Sequence, residues 1–417
     1  MLPVLLALAQ FPPEFERPFR VRDAGGEIEV EPGGAAPCFA DVDGDGLADL
    51  LVGRSDGRVE LRRNVGARGR PRFEKAELVQ AGGVDARVPH GDGSEFTPNL
   101  GDVTGDGVPD LVSGSWYTDS AFVFAGRGTG TFAAGAKLLP FAKSGTLVDQ
   151  GSSVALGDFD RDGDLDLVNA DHWGETRLFV NHAGPHAFAR LEASTPMRAG
   201  PKAMALDWEC APCLADWDAD GFLDVVAGGW DGNLLLFAGK GTAEFAAPVI
   251  LIGAPTEPPV LVPDPTGTRW SVFAQRPQVG ARPCAADWNS DGILDLVVGD
   301  DVYVEGPEPV LTAKRARAKR ELEVLLQDLD ARSTRAWNEV RAALLAEHGY
   351  AEERLWRDED LRDAFEVTFQ RELDLAPLVR ALRKARAQVA LELAPLLRPK
   401  SHRSTVWVYL RRPRAAR

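Results

Sequence analysis

The chain repeats one acidic pattern five times: ADVDGDGLADLLVG (residues 40–53), GDVTGDGVPDLVSG (101–114), GDFDRDGDLDLVNA (157–170), ADWDADGFLDVVAG (215–228) and ADWNSDGILDLVVG (286–299). The first Asp of each copy falls at 41, 102, 158, 216 and 287, at intervals of 61, 56, 58 and 71 residues. Self-similarity at that period marks a repeat architecture, and each interval has room for four short strands. The first four copies are each followed by an alternating apolar segment, from Val59, Phe122, Arg177 and Leu234, which reads as a third strand. A Phe then opens each expected fourth strand, at Phe73, Phe132, Phe188 and Phe245.

The fifth copy lacks both features at the expected distance. VWVYLRR from Val406 reads as its displaced third strand, and FERPFRV from Phe15, patterned like FEKAELV from Phe73, as its fourth. The fold class expected is therefore all-β: a five-bladed β-propeller with the N-terminal strand closing the last blade, plus an inserted α-helical hairpin. A seven-bladed ring would need two degenerate blades, and no interval could hide one. The propeller blades are expected over 10–313, the helical insertion over 314–398, and the final strand and tail over 399–417.

Composition agrees with this division. The 417 residues are too many for one ordinary core, and 42 Gly with 29 Pro favour many turns. The 63 acidic against 47 basic residues leave a net charge of −16, which argues against a nucleic-acid surface. Between Lys314 and Lys400 the charges are near balance, so the acid belongs to the repeats. No apolar run is long enough for a membrane-spanning helix. Residues 1–9, ending Ala7-Leu8-Ala9, read as a truncated signal peptide or a loose tail, the former implying a secreted or cell-envelope, periplasmic location.

Each copy approximates D-x-D-x-D-G-x-x-D, which sets hard oxygen ligands at alternate positions of a tight loop and a glycine sixth, where the chain must turn sharply. The candidate metal ligands are Asp41, Asp43, Asp45 and Asp49; Asp102, Thr104, Asp106 and Asp110; Asp158, Asp160, Asp162 and Asp166; Asp216, Asp218, Asp220 and Asp224; and Asp287, Asn289, Asp291 and Asp295. The seventh residue is expected to give only its carbonyl. Densely packed carboxylates suit Ca²⁺ better than Mg²⁺, and about five structural ions would bring the net charge from −16 to −6. The alternative is that Asp-Gly loops are simply good turns.

These repeats resemble the FG-GAP/VCBS family, the calcium-loop propeller repeats of integrin α-subunit head domains and of many secreted bacterial proteins. The resemblance covers roughly residues 15–305 and the final strand. It implies a calcium-stabilised propeller used for binding glycans or proteins, and no single reaction.

From Lys314 the apolar spacing becomes helical, through Leu322, Leu326, Leu329, Trp337, Val340 and Leu344. The first helix should stop near Gly349, a short one should carry Leu355, Trp356, Leu361 and Phe365, and Asp374 with Pro377 should open another. The basic run KRARAKR from Lys314 reads as a solvated helix face.

In a propeller a ligand is expected on the face opposite the loops, where Trp116, Tyr117, His172, Trp173, Trp208 and Trp230 fall among polar residues. They can stack on a glycan or pack between blades. His90, Asp92, Asp149, Asp207 and Glu209 supply acid or base groups there, but no spacing singles out a pair. Cys38, Cys213 and Cys284 each stand three residues before a first Asp, and Cys210-x-x-Cys213 invites a redox reading beside the plainer one of small buried residues. Three functions follow: a binding module for a glycan or protein ligand, a carbohydrate-active lyase or hydrolase, or a scaffold acting through the helices.

Overall fold

The structure is a computed structural model that describes residues 14–31, 33–88, 95–114, 120–140, 152–171, 174–184, 186–206, 211–241, 243–256, 259–263, 270–274, 276–305, 310–351, 365, 368–369, 372–373, 376–393, 396–397 and 400–413. The chain divides into two compact units, residues 1–304 with 402–417 and residues 305–401.

The first unit is built from small antiparallel sheets. Among the described residues, the first sheet joins Ala36–Ala40, Asp49–Gly53, Val59–Arg62 and Glu77–Leu78, and the second joins Asn99–Gly101, Asp110–Ser113, Ser120–Phe124 and Ala136–Pro140. The third joins Ser152–Gly157, Asp166–Asp171, Thr176–Asn181 and Leu191–Pro196, and the fourth joins Ala211–Ala215, Asp224–Gly228, Leu234–Phe237 and Val249–Ile252. The fifth takes Val279–Ala286, Asp295–Glu305 and Lys400–Tyr409, with Phe19–Arg20 from the start of the chain as its fourth strand. There Phe19 pairs with Val408 and Arg20 with Trp407.

In each repeat the acidic loop connects the first and second strands. The second strands are buried on both faces: Leu50, Leu111, Leu167, Val225 and Leu296 are all inaccessible to solvent. Their continuous apolar runs are what a strand sandwiched between neighbours requires. Five apolar clusters fill the spaces between consecutive sheets. They centre on Leu51 with Phe124, Val112 with Phe179, Val168 with Phe237, Val226 with Leu296, and Val297 with Val52. The last of these sets the fifth sheet against the first.

Backbone contact is closest at the glycine that stands fifth in three of the second strands. A Cβ on Gly53 would stand 1.7 Å from the Phe96 carbonyl oxygen, on Gly228 1.9 Å from that of Ala281, and on Gly299 1.8 Å from that of Ala35. Each places one sheet's second strand on the approach to the next sheet's first.

The sequence expectation fails at one Phe. Phe73, Phe132 and Phe245 are buried and bridge to the end of their third strands at Asn64, Gly126 and Gly239. Phe188 is 53% exposed, and the fourth strand of that sheet begins at Leu191. The Asn181 side chain accepts the Arg190 N–H just as Asn64 accepts that of Arg72. Leu191 therefore stands where Phe73 stands, and Phe188 belongs to the preceding turn. Short hairpins that periodicity did not signal, such as Gln80–Ala81 with Val84–Asp85, fill the connections between sheets.

In the second unit, α1 (Ala313–His348) starts at Thr312, whose side chain accepts the Arg315 N–H, and stops at Gly349 with φ 67°. The second helix, α2 (Pro377–Leu393), packs on it through Leu329, Ala336 and Leu344 against Val379, Leu382 and Val389, with Phe365 and Phe369 between. KRARAKR lies at the start of α1, where Arg317 and Lys319 pair with Glu321 and Glu323 one turn on. Leu355, Trp356, Leu361 and Asp374 lie outside the described residues, as do residues 1–13.

Gly53→Ala, Gly228→Ala and Gly299→Ala should each cost about 2–3 kcal/mol, because the added methyl displaces a neighbouring carbonyl. Gly253→Ala, which meets nothing within 4 Å, should change stability by less than about 0.5 kcal/mol. Urea denaturation of the four variants measures the difference.

Candidate metal centres in the repeat loops

The ninth position of every loop carries a buried Asp whose two oxygens hold two separate pieces of backbone. One oxygen accepts the N–H of the loop's second residue: Val42 at 3.2 Å, Val103 at 2.9 Å, Phe159 and Trp217 at 2.8 Å, and Trp288 at 3.1 Å. The other accepts an N–H at the end of the third strand: Asn64 and Gly126 at 2.8 Å, Asn181 and Gly239 at 2.7 Å, and Arg411 at 2.6 Å. Asp49, Asp110, Asp166, Asp224 and Asp295 are therefore clamps as well as candidate ligands. The second residues they secure are buried too, and Trp217 and Trp288 fill the joints beside the fifth sheet.

The first Asp folds the loop over itself. Asp41 accepts the Gly44 N–H at 2.7 Å and the Gly46 N–H at 2.9 Å, and Asp102, Asp158, Asp216 and Asp287 take the matching sixth-position N–H at 2.8–3.2 Å. The glycine at that position has φ between 83° and 94° in all five loops. The fourth position is left-handed as well, although Arg161, Ala219 and Ser290 occupy it in three loops at φ 62°, 61° and 57°. Non-glycine residues there carry backbone strain of about 1 kcal/mol. The sequence pattern pointed only to the sixth position.

Carboxylates converge in three loops. Asp41, Asp43 and Asp45, then Asp158, Asp160 and Asp166, then Asp216, Asp218 and Asp224 each offer ligand atoms lying within 4.8 Å of one another. Asp158 Oδ1 and Asp216 Oδ1 are buried and have no hydrogen-bond partner. A carboxylate oxygen buried beside two other carboxylates calls for a proton or a cation, and an all-oxygen donor set of this kind fits Ca²⁺. Asp162 and Asp220 instead cap the backbone two residues on, accepting from Asp164 and Phe222.

The second and fifth loops are quieter. Among the described residues no three acidic groups converge there. Thr104 Oγ1 points to Asp110 at 3.4 Å, and the Asn289 amide donates to Asp291 at 2.9 Å. Asp102, Asp106, Asp287 and Asp291 accept loop N–H groups in the common pattern. Arginines brace the loops from outside: Arg63 pairs with Asp43 at 2.5 Å, and Arg161 stacks on Phe222 and donates to the Gly221 carbonyl of the next loop.

Burial pushes the ninth-position carboxyls up, against the opposing pull of their two backbone donors. Asp49, Asp166 and Asp295 rise to about 6, each with other loop carboxylates adding to the effect, and Asp110 and Asp224 rise as well.

Of the aromatic ligand candidates, Trp230 is half-buried in a turn, its carbonyl accepting the Gly280 N–H. Trp116, Tyr117, His172, Trp173 and Trp208 lie outside the described residues, as do His90, Asp92, Asp149, Asp207, Glu209 and Cys210. Cys38, Cys213 and Cys284 are free thiols lining a cavity of about 230 Å³ bounded by first strands of all five sheets. Cys213 Sγ accepts the Ala285 N–H of the fifth sheet's first strand at 3.1 Å. Burial raises all three thiols, Cys213 to about 12, which lowers their thiolate fraction at neutral pH.

Sequence reasoning missed a buried ionic network at the other end of the first strands. Arg282 binds Glu95 through two N–H groups and Asp301 at 3.2 Å, and Asp301 also accepts from Gly34 at 2.7 Å and Ser404 at 2.6 Å, with His402 at 2.9 Å. Burial would raise Asp301, yet the Arg282 guanidinium and these donors hold it well below the usual carboxylate range. One signal was readable: Arg282 occupies the register of Ala36, Thr97, Ser153 and Ala211, all small residues.

The FG-GAP-like repeat profile matches residues 41–113, 102–168 and 216–298, together half of the chain. Integrin alpha-4 of Xenopus laevis is 39% identical over 97 residues, a stretch that covers 22% of this chain and 9% of the integrin. Among solved structures, an Agrocybe aegerita lectin described for recognition of non-reducing terminal N-acetylglucosamine is 21% identical at TM-score 0.33, over 66% of this chain and 61% of the lectin. A TcdB2–TccC3 structure is 15% identical at TM-score 0.30, over 67% of this chain and 14% of that one.

The raised ninth-position carboxyls give a pH signature in the metal-free protein. A group near 6 when folded and 3.8 when unfolded adds stability that is complete below about 3.8 and lost as pH rises through about 6. In chelator the unfolding midpoint should therefore fall between about pH 4.5 and 6.5, and excess Ca²⁺ should abolish or reverse that slope. A chelated midpoint that climbs through this window would contradict the burial argument.

Proposed function

The chain belongs to the FG-GAP-like repeat family, and from that membership we propose that it is a calcium-stabilised five-bladed β-propeller acting outside the cytoplasm as a binding module for a protein or glycan ligand. Ring closure is supported by the cyclic order of the five inter-sheet cores and by the pairing of Phe19–Arg20 with the C-terminal strand. On this reading the helical segment 314–398 is an insertion between the second and third strands of the fifth blade.

The observation that carries the calcium reading is the pair of buried, partnerless oxygens on Asp158 and Asp216, each beside two more carboxylates. Loops two and five have the same backbone with fewer converging charges and would bind more weakly. Sites of this exposed kind fill at extracellular, not cytosolic, calcium, which agrees with the secreted or envelope location expected of the family resemblance. Ligand contact is assigned to the face opposite the loops, with Trp116, Tyr117, His172, Trp173, Trp208 and Trp230 as candidates. Among the described residues no helix is long and apolar enough to cross a membrane.

Thermal unfolding in 1 mM Ca²⁺ and in chelator, with a metal count on the purified protein, tests the proposal. Sites with dissociation constants of order 0.1 mM contribute roughly 1.4 kcal/mol each, about 7 kcal/mol for five. Chelation should then lower the midpoint by about 10–15 °C. A metal count near zero with an unmoved midpoint would reduce the loops to turns.

A further inference from the structure

At the end of the third strand the fifth repeat departs from the other four. The N–H that the ninth Asp holds there belongs to Asn64, Gly126, Asn181 and Gly239 in four repeats and to Arg411 in the fifth. The two asparagines turn back on their own sheets: Asn64 donates to the Ala48 carbonyl and accepts from Gly66, and Asn181 donates to the Leu165 carbonyl and accepts from Ala183. The two glycines have no room for a side chain, since a Cβ would stand 2.1 Å from the Pro109 carbonyl oxygen at Gly126 and 2.0 Å from that of Leu223 at Gly239.

Arg411 instead reaches the neighbouring repeat. Its Nη1 donates to the Trp217 carbonyl at 2.7 Å, and its guanidinium lies 4.2 Å from the centre of the Trp217 ring. Trp217 is the second residue of the fourth loop, between the candidate ligands Asp216 and Asp218, and Asp224 holds its N–H at 2.8 Å. Phe15 packs on the same indole, with ring centroids 6.2 Å apart. The backbone between the first two ligands is thus gripped at its N–H from its own sheet and at its carbonyl from the fifth.

Asp216, Asp218 and Asp224 converge, and Asp216 Oδ1 is buried without a hydrogen-bond partner. Carboxylates this close repel one another and push the loop apart when nothing lies between them. Holding the backbone at Trp217 lowers the reorganisation that ion binding requires, and rigidity of the site is one of the properties that set Ca²⁺ affinity. The guanidinium charge acts the other way, because a fixed cation beside the loop repels the ion. Position and charge therefore predict opposite effects for removing Arg411.

We propose that Arg411 is a positioning residue for the metal site of the fourth repeat, reaching from the fifth sheet to hold Asp216 and Asp218 in place for the ion. This rests on the reading that the loops bind Ca²⁺, and it makes the affinity of one repeat depend on a side chain of the next.

Tryptophan-sensitised Tb³⁺ luminescence of the full chain, titrated with competing Ca²⁺, tests it. Trp217 lies in the fourth loop, so the part of the signal lost in Trp217→Phe reports that site. Arg411→Asn copies the first and third repeats and retains the backbone N–H that Asp295 accepts. It should weaken Ca²⁺ at the fourth site by about three- to tenfold and leave the rest of the signal unchanged. Arg411→Lys keeps the charge but loses the planar stack on Trp217, and should weaken the same site by a smaller factor. A fourth-site affinity that is unchanged or raised in Arg411→Asn, or in Arg411→Lys if only that variant folds, overturns the proposal. Equal weakening of every component of the signal overturns it too, as the mark of a general loss of stability. A parent chain that binds neither Tb³⁺ nor Ca²⁺ overturns the calcium reading itself, a result distinct from an unchanged fourth site.

Discussion

Five buried carboxylates set the geometry on which the rest of this protein depends. Each ninth-position Asp uses one oxygen to hold the start of its loop and the other to hold the far end of the third strand. Three strands of each sheet thus meet at one side chain. A buried ionisable group is tolerable only when its acceptors are filled, and here both are filled by backbone N–H groups that no strand ladder uses. With the loop held, its second residue is carried into the space between sheets, so Trp217 and Trp288 pack where they do because of Asp224 and Asp295.

That arrangement has an electrostatic consequence. Clamping the ninth Asp and folding the first Asp over the loop brings other carboxylates together, and some of their oxygens end up buried without donors. A loop built this way is destabilised by its own charge, which a proton or a cation would relieve. Thr104 and Asn289 replace one charge in loops two and five, where the remaining acids are satisfied within the loop. The five loops are therefore equivalent in backbone and unequal in charge, with the third at the acidic extreme.

At the opposite end of the first strands, charge is balanced inside the protein. Arg282 reaches Glu95, 187 residues away in sequence, and Asp301 of its own sheet. Removing one partner of such a buried set is costly because the others are left uncompensated. The thiols of Cys38, Cys213 and Cys284 share one register of the first strands and line one cavity, where the Ala285 N–H donates to Cys213.

The repeat spacing, the loops, the third strands, the displaced strand near Val406 and the helix boundaries at Gly349 and Pro377 were all legible in the amino-acid sequence. Each depends on local chemistry: which residues turn, which alternate, which stop a helix. Tertiary structure alone decided that Phe188 is exposed while Leu191 takes its expected place, and that Arg161, Ala219 and Ser290 adopt left-handed backbone. It alone decided that the ninth Asp is a clamp, and that Arg282 finds Glu95. Those outcomes turn on which side chain faces which across neighbouring sheets, and periodicity within one strand carries no information about the partner opposite it.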